Sequence, residues 1–163
     1  MKSKTQKIVI AALIAAIYAA LTMSLAFMSY GEIQFRVAEA LTILPFFSSL
    51  SIPGLFIGCV IANLLSSIGP LDIVVGSFAT LIAAIITYYI GKSNMKFKKY
   101  IAPLPAVLVN AVVIGLLLTY TANIPFILAA LQVGFGELVC TYVLGLPLLL
   151  FIDKNTKIKQ YFQ

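Results

Sequence analysis

The sequence predicts an all-α integral membrane protein, a single transmembrane domain over residues 1–163 folded as a six-helix bundle. Three observations carry this. The chain is 62% hydrophobic and only 10% charged, with a mean hydropathy of +1.09, whereas soluble domains are roughly half apolar and about a quarter charged. Its apolar runs approach the roughly 20 residues that an α-helix needs to cross about 30 Å of hydrocarbon. Finally, ten of its eleven basic residues fall in three short clusters flanking those runs: Lys2, Lys4 and Lys7; Lys92, Lys96, Lys98 and Lys99; Lys154, Lys157 and Lys159. Short loops rich in lysine stay on the cytoplasmic side, so the net charge of +6 reads as a topology signal, and nucleic acid is not an expected partner.

The first helix is expected from about Lys7 to Met28. Its apolar run is longer than a secretory signal core, so no cleavage is expected. A polar, aromatic stretch, Tyr30 to Arg36, leads to a second helix from about Val37 to Leu50. The third follows Pro53 and ends near Gly69 and Pro70, and the fourth runs from about Asp72 to Ile90, where Gly91 and lysines stop it. Proline suits a helix start and glycine an end. The fifth spans about Ile101 to Tyr120. The sixth begins near Asn123, read as an N-cap with Pro125 in the first turn, and continues to Ile152. That is longer than the bilayer demands, so a tilt or a break near Gly134, Gly136 or Pro147 is expected.

Placing all three lysine clusters on one side requires an even number of crossings between each pair, which four and then two helices satisfy. Both termini then lie in the cytoplasm of a multi-pass protein of the cell membrane, and three loops face outward, around residues 30–36, 68–72 and 119–123.

Apart from Asp153 beside the C-terminal lysines, the charges outside the clusters are Glu32, Arg36, Glu39, Asp72 and Glu137. Ionisable groups at membrane depth are costly and face a bundle interior or a water cavity, either as a functional site or as an ion pair that locks helices together. On a helix that begins early, Glu32, Arg36 and Glu39 share a face, giving Arg36 two partners, with Gln34 joining from a loop. Asn63, Asn110 and Gln132 fall within helices, where an amide serves as interhelical glue or as a ligand contact. Together these residues suit a planar polar heterocycle bearing a cation. Tyr30, Phe35, Tyr120 and Phe135 offer either stacking walls or lipid-interface anchors.

On the first helix, Ala11, Ala15 and Ala19 recur every fourth residue, and Ala12, Ala16 and Ala20 form a neighbouring file. Such a flat face lets another helix approach closely, from within the bundle or from a partner. Cys59 and Cys140 sit in apolar runs as small hydrophobes, not as a disulfide. The chain has no histidine and no Gly-rich phosphate loop. No metal, cofactor or enzymatic activity is therefore expected.

The run Glu32-Ile33-Gln34-Phe35-Arg36-Val37-Ala38-Glu39-Ala40-Leu41-Thr42-Ile43-Leu44-Pro45-Phe46, followed by Ala62-Asn63 and Gly69-Pro70-Leu71-Asp72, resembles the QueT family. These are substrate-binding S components of energy-coupling factor (ECF) transporters. The resemblance implies a six-helix S-component fold and uptake of a queuosine precursor such as 7-aminomethyl-7-deazaguanine. It also implies a transmembrane coupling subunit and two cytoplasmic ATPases as partners, with a first-helix Ala-x-x-x-Ala motif, similar to Ala12 to Ala16, packing on the coupling subunit. Other readings are an S component for another vitamin, a self-sufficient ion-coupled secondary transporter and a structural membrane scaffold.

Overall fold

A computed structural model describes residues 3–30, 33–66 and 68–161. Among them the secondary structure is entirely helical. The apolar composition leaves no hydrogen-bonding solvent for backbone groups, and helices satisfy those groups within each segment. Four helical stretches are long and apolar enough to cross a membrane: Lys4–Ser24, Pro70–Lys92, Lys98–Ala122 and Phe126–Lys154. Two shorter apolar helices, Val37–Phe46 and Ser51–Asn63, complete the bundle. Large apolar side chains cover the outside, among them Phe27, Ile57, Val74, Phe78, Ile127, Leu131 and Phe151. An outward-facing apolar surface of this kind marks lipid as the solvent.

Helix α1 (Lys4–Ser24) opens with a capping box in which Ser3 and Gln6 satisfy each other's backbone N–H groups. It breaks at Leu25 into the single turn α2 (Ala26–Ser29), earlier than the expected end at Met28. The segment expected as a second α-helix over Val37 to Leu50 is instead a 3-10 helix, Val37–Phe46, with Pro45 in its last turn. At about 2 Å per residue its ten residues reach about 20 Å. Three residues per turn stack Arg36, Glu39 and Thr42 along one side, joined by Glu39 N–H donating to the Arg36 carbonyl at 2.8 Å and Thr42 Oγ1 to the Glu39 carbonyl at 2.6 Å.

Helix α3 (Ser51–Asn63) begins before Pro53, which lies in its first turn, and ends six residues short of Gly69. Gly69, at φ +80°, turns the chain into α4 (Pro70–Lys92), which opens on Pro70, two residues before the expected start near Asp72. After the short α5 (Lys98–Ile101) come α6 (Leu104–Ala122) and α7 (Phe126–Leu138). Asn123 is not the N-cap of α7. It terminates α6 in the left-handed conformation at φ +54°, which asparagine tolerates, and Pro125 takes the cap position. The break expected in the last long helix is a π-helical stretch, Val139–Gly145, that leads without interruption into α8 (Leu146–Lys154) and then α9 (Thr156–Gln160).

The 3-10 helix is the centre of the bundle, packed against α1, α3, α4, α8 and the π stretch. Close approach is made by small residues. Gly145 faces the Ala40 carbonyl, Gly91 the Phe46 carbonyl and Gly136 the Gln34 carbonyl; a Cβ at Gly91 or Gly136 would collide with backbone, and one at Gly145 would be a tight fit. On α3, Gly54 and Gly58 meet the backbone of Ala11 and Ala15 on α1. The two alanine files therefore separate. Ala15 and Ala19 are buried against α3 and the core, while Ala12, Ala16 and Ala20 are exposed, and Ala12 and Ala16 line a groove with Pro53 and Ile57 whose floor reaches Ala11 and Ala15.

The lysine clusters meet at one end, as parity requires. Asp153 Oδ2 pairs with Lys99 at 2.6 Å and its Oδ1 with Lys159 at 2.7 Å. Thr5 and Gln6 at the start of α1 line one groove with Lys157 and Gln160. The opposite end carries the turns after α2, α3 and α6.

Candidate functional site

From the end opposite the lysines to mid-depth, a set of polar side chains is enclosed among the helices. Arg36 enters from the residue preceding the 3-10 helix and Glu39 from its first turn. Asp72 comes from the first turn of α4 and Thr80 from two turns further along. Cys59 and Asn63 come from the end of α3, Tyr18 from the middle of α1, Asn110 from α6 and Glu137 from α7. Exposures of 0% for Glu39, 1% for Asp72, 5% for Glu137 and 6% for Arg36 mean that the cluster is shut from solvent and lipid.

Arg36 Nη2 lies 3.8 Å from Asp72 Oδ2, so among the described residues its ion-pair partner is the acid in the first turn of α4, not Glu39. Of the three residues expected to share a helical face, Arg36 immediately precedes the 3-10 helix and Glu39 lies in its first turn. Glu32 itself lies outside the described residues. The Arg36 guanidinium also sits 5.8 Å over the Tyr30 ring, whose hydroxyl donates to the Ala62 carbonyl at 2.5 Å. Asn63 Nδ2 donates to the Asp72 backbone carbonyl at 2.9 Å, tying α3 to the start of α4.

Glu39 Oε1 accepts two hydrogen bonds, one from the Tyr18 hydroxyl and one from Thr80 Oγ1 at 3.3 Å. Thr80 in turn contacts Cys59 Sγ at 3.4 Å, and that sulfur accepts from Asn63 Nδ2 at 3.5 Å and from Arg36 Nη1 at 3.9 Å. Deeper in, Asn110 Nδ2 donates to Glu137 Oε1 at 2.8 Å, and Thr141 bonds back to the Glu137 carbonyl at 2.7 Å. Glu137 lies within electrostatic reach of both Glu39 and Arg36. Asp72 is the carboxylate within ion-pair distance of that guanidinium among the described residues.

Several acceptors remain without a protein hydrogen bond: Glu39 Oε2, Asn63 Oδ1, both oxygens of Asp72, and Glu137 Oε2. Buried polar groups are nearly always paired, so a set of convergent, unpaired acceptors is the signature of groups that take their donors from elsewhere. Gly76 preserves the space: a Cβ there would stand 2.6 Å from Asp72 Oδ1 and 2.8 Å from Asn63 Nδ2.

Gln34 is buried at the edge of the cluster, where its carbonyl meets Gly136. Phe35 and Phe135 meet edge to face at 6.1 Å on the outer side. Gln132 is half-buried and stands apart from the cluster, and Tyr120, at 80% exposure, lies on the lipid-facing surface. Tyr18, Cys59 and Thr80 are the members that sequence reasoning missed. Tyr18 had a signal, a phenol in mid-span whose hydroxyl needs a partner, whereas Thr80 and Cys59 look like ordinary small helix residues.

Residues 8–154 match the family model described as QueT transporter. The chain belongs to the QueT transporter family. A relative, the "Queuosine precursor transporter QueT" of Lactococcus lactis subsp. cremoris (strain MG1363), is 47% identical over 83 residues, which is 50% of this chain and 48% of the relative. The chain thus matches about half the length of that curated relative. No solved structure matches. This QueT-family chain is accordingly a membrane protein of a transporter family, and neither the family nor the relative is an enzyme.

Proposed function

We propose that this chain is the substrate-binding S component of an ATP-driven ECF transporter that imports a queuosine precursor such as 7-aminomethyl-7-deazaguanine. The observation that carries the reading is the closed cluster of Glu39, Asp72 and Glu137 around a single Arg36, with its unpaired acceptors. A deazaguanine offers ring N–H and amino donors along one edge, a carbonyl on the other side and an aminomethyl cation. Asp72 has both carboxylate oxygens without a hydrogen bond, the arrangement that a two-donor guanine edge requires. Arg36 and the second amide N–H of Asn110 supply donors for the carbonyl, and Asn63 Oδ1 is a further acceptor. Glu137 Oε2 is a further ring acceptor, and the acid surplus suits the cation. Gln34 belongs to the mouth. Tyr30 and Phe35 form its aromatic wall.

The two short helices, Val37–Phe46 and Ser51–Asn63, count with the four long ones as the six spans of an S component. The lysine-rich end is cytoplasmic by the charge rule, which places both termini inside and the polar cluster toward the outside. The 163 residues contain no Gly-rich phosphate loop, so energy comes from the coupling subunit and two ATPases. The outward file Ala12, Ala16 and Ala20 provides the flat face on which a partner helix packs. Ala15 and Ala19 are buried and α3 packs on Ala11 and Ala15, so this file offers a partner helix less surface.

The test is ligand identification by mass spectrometry on protein purified in mild detergent, followed by uptake assays. A bound deazaguanine, and accumulation only when coupling subunit and ATPases are co-expressed, is the expected result. A different vitamin, or accumulation by this chain alone in liposomes driven by an ion gradient, overturns it.

A further inference from the structure

The two oxygens of Glu39 are not equivalent. Oε1 takes the Tyr18 hydroxyl from α1 and Thr80 Oγ1 from α4, two donors arriving from different helices, while Oε2 has no protein partner in a site that is 0% exposed. A carboxylate fixed through one oxygen presents the other in a single direction. Tyr18 is itself immobile, fully buried and with its Cβ 2.8 Å from where a Cβ on Gly58 would stand. Thr80 is held by Cys59 at 3.4 Å, which is held by Asn63 at 3.5 Å, so the second donor is also anchored to α3.

We propose that Tyr18 is a positioning residue for the substrate site, which with Thr80 turns Glu39 Oε2 toward a single-point cationic donor of the ligand, the ammonium group. The proposal rests on the reading of this cluster as the deazaguanine site. One free oxygen suits a point donor, whereas a planar two-donor edge needs two, as at Asp72. Glu39 and Asp72 are thereby divided between the two ends of the ligand, and Tyr18, which does not touch the ligand, sets the preference for the charged form. Removing the phenol hydroxyl frees Oε1 to rotate and leaves the carboxylate without its strongest fixed donor.

The experiment compares Tyr18→Phe with wild type in mild detergent by calorimetric titration with the aminomethyl compound and with its neutral nitrile analogue. Hydrogen bonds to charged groups are each worth about tenfold or more in affinity. The expected result is that Tyr18→Phe weakens the aminomethyl compound about tenfold and the nitrile less than about twofold. Thr80→Val moves the ratio in the same direction, and Tyr18→Phe adds nothing in a Glu39→Gln background. A folded Tyr18→Phe protein, judged by its melting temperature, with an unchanged ratio of the two affinities overturns the assignment. So does a loss in the Glu39→Gln background equal to that in wild type. Wild-type protein that binds neither compound overturns instead the substrate reading beneath it.

Discussion

Gly76→Ala tests the site with almost no cost to the fold. The added methyl would stand 2.6 Å from Asp72 Oδ1 and 2.8 Å from Asn63 Nδ2, where ordinary contact begins at about 3.4–3.5 Å. Both side chains must therefore withdraw by about 0.6–0.9 Å. They are free ends, so the helices need not part, but the hydrogen bond from Asn63 to the Asp72 carbonyl at 2.9 Å is lost, a cost of about 1 kcal/mol. Alanine in place of glycine in a helix interior returns about 0.5–1 kcal/mol. Stability should then be unchanged to within about 1 kcal/mol, read as a melting temperature close to wild type. Binding should not survive as well. A carboxylate displaced by most of an ångström no longer meets two donors in plane, and each charge-assisted bond lost is about 1.5–3 kcal/mol, a tenfold to hundredfold loss in affinity or more. Titration of the aminomethyl compound into the purified variant reads this directly. Wild-type affinity in a folded Gly76→Ala protein would refute the placement of Asp72 and Asn63 at the ligand.

Asn110→Leu removes the one hydrogen-bond donor to the Glu137 carboxylate among the described residues and should lower stability by about 2–3 kcal/mol, whereas Glu137→Gln keeps an acceptor for Asn110 and should melt near wild type while binding both compounds more weakly and to the same degree. Ala12→Leu with Ala16→Leu should abolish energy-coupled uptake and leave binding intact, because both side chains face outward. Ala15→Leu should instead destabilise the protein by about 1–3 kcal/mol, since Ala15 is buried against Gly58. Cys59 and Cys140 are buried and should resist labelling, so single cysteines introduced at Asn155 and at Ala122 report orientation cleanly. Membrane-impermeant maleimide added to intact cells should modify the second and not the first.

The long apolar helices and the meeting of the lysine clusters were legible in the sequence because both depend on composition and on parity, which are properties of segments. The acids and amides of the site were legible as costly residues at membrane depth, and Arg36, Glu39, Asp72, Asn63, Asn110 and Glu137 are indeed brought together. Their pairing was not. Spacing along a helix pairs Arg36 with its sequence neighbours, yet the ion pair described is with Asp72, because Arg36 precedes the 3-10 helix and reaches across to α4. The 3-10 winding itself was hidden because Val37 to Phe46 is apolar on nearly every side, which leaves no period to read. The alanine files could be separated only by knowing where Gly54 and Gly58 lie. Tyr18 and Thr80 escaped because their role is set by an acid 21 or 41 residues away.

The 3-10 helix also constrains the order in which the protein is made. Its hydrogen-bond geometry is poorer than that of an α-helix, and a strained backbone in hydrocarbon needs shielding on all sides. Part of that shield is Gly145 against the Ala40 carbonyl and Gly136 against the Gln34 carbonyl, both from the stretch Phe126–Lys154. Residues 37–46 therefore emerge early but can settle only when residues 136–145 arrive, with α1, α3 and α4 inserted beforehand. A nascent chain arrested before α7 would hold Arg36, Glu39 and Asp72 without the wall that encloses them, making biogenesis all-or-none with respect to binding.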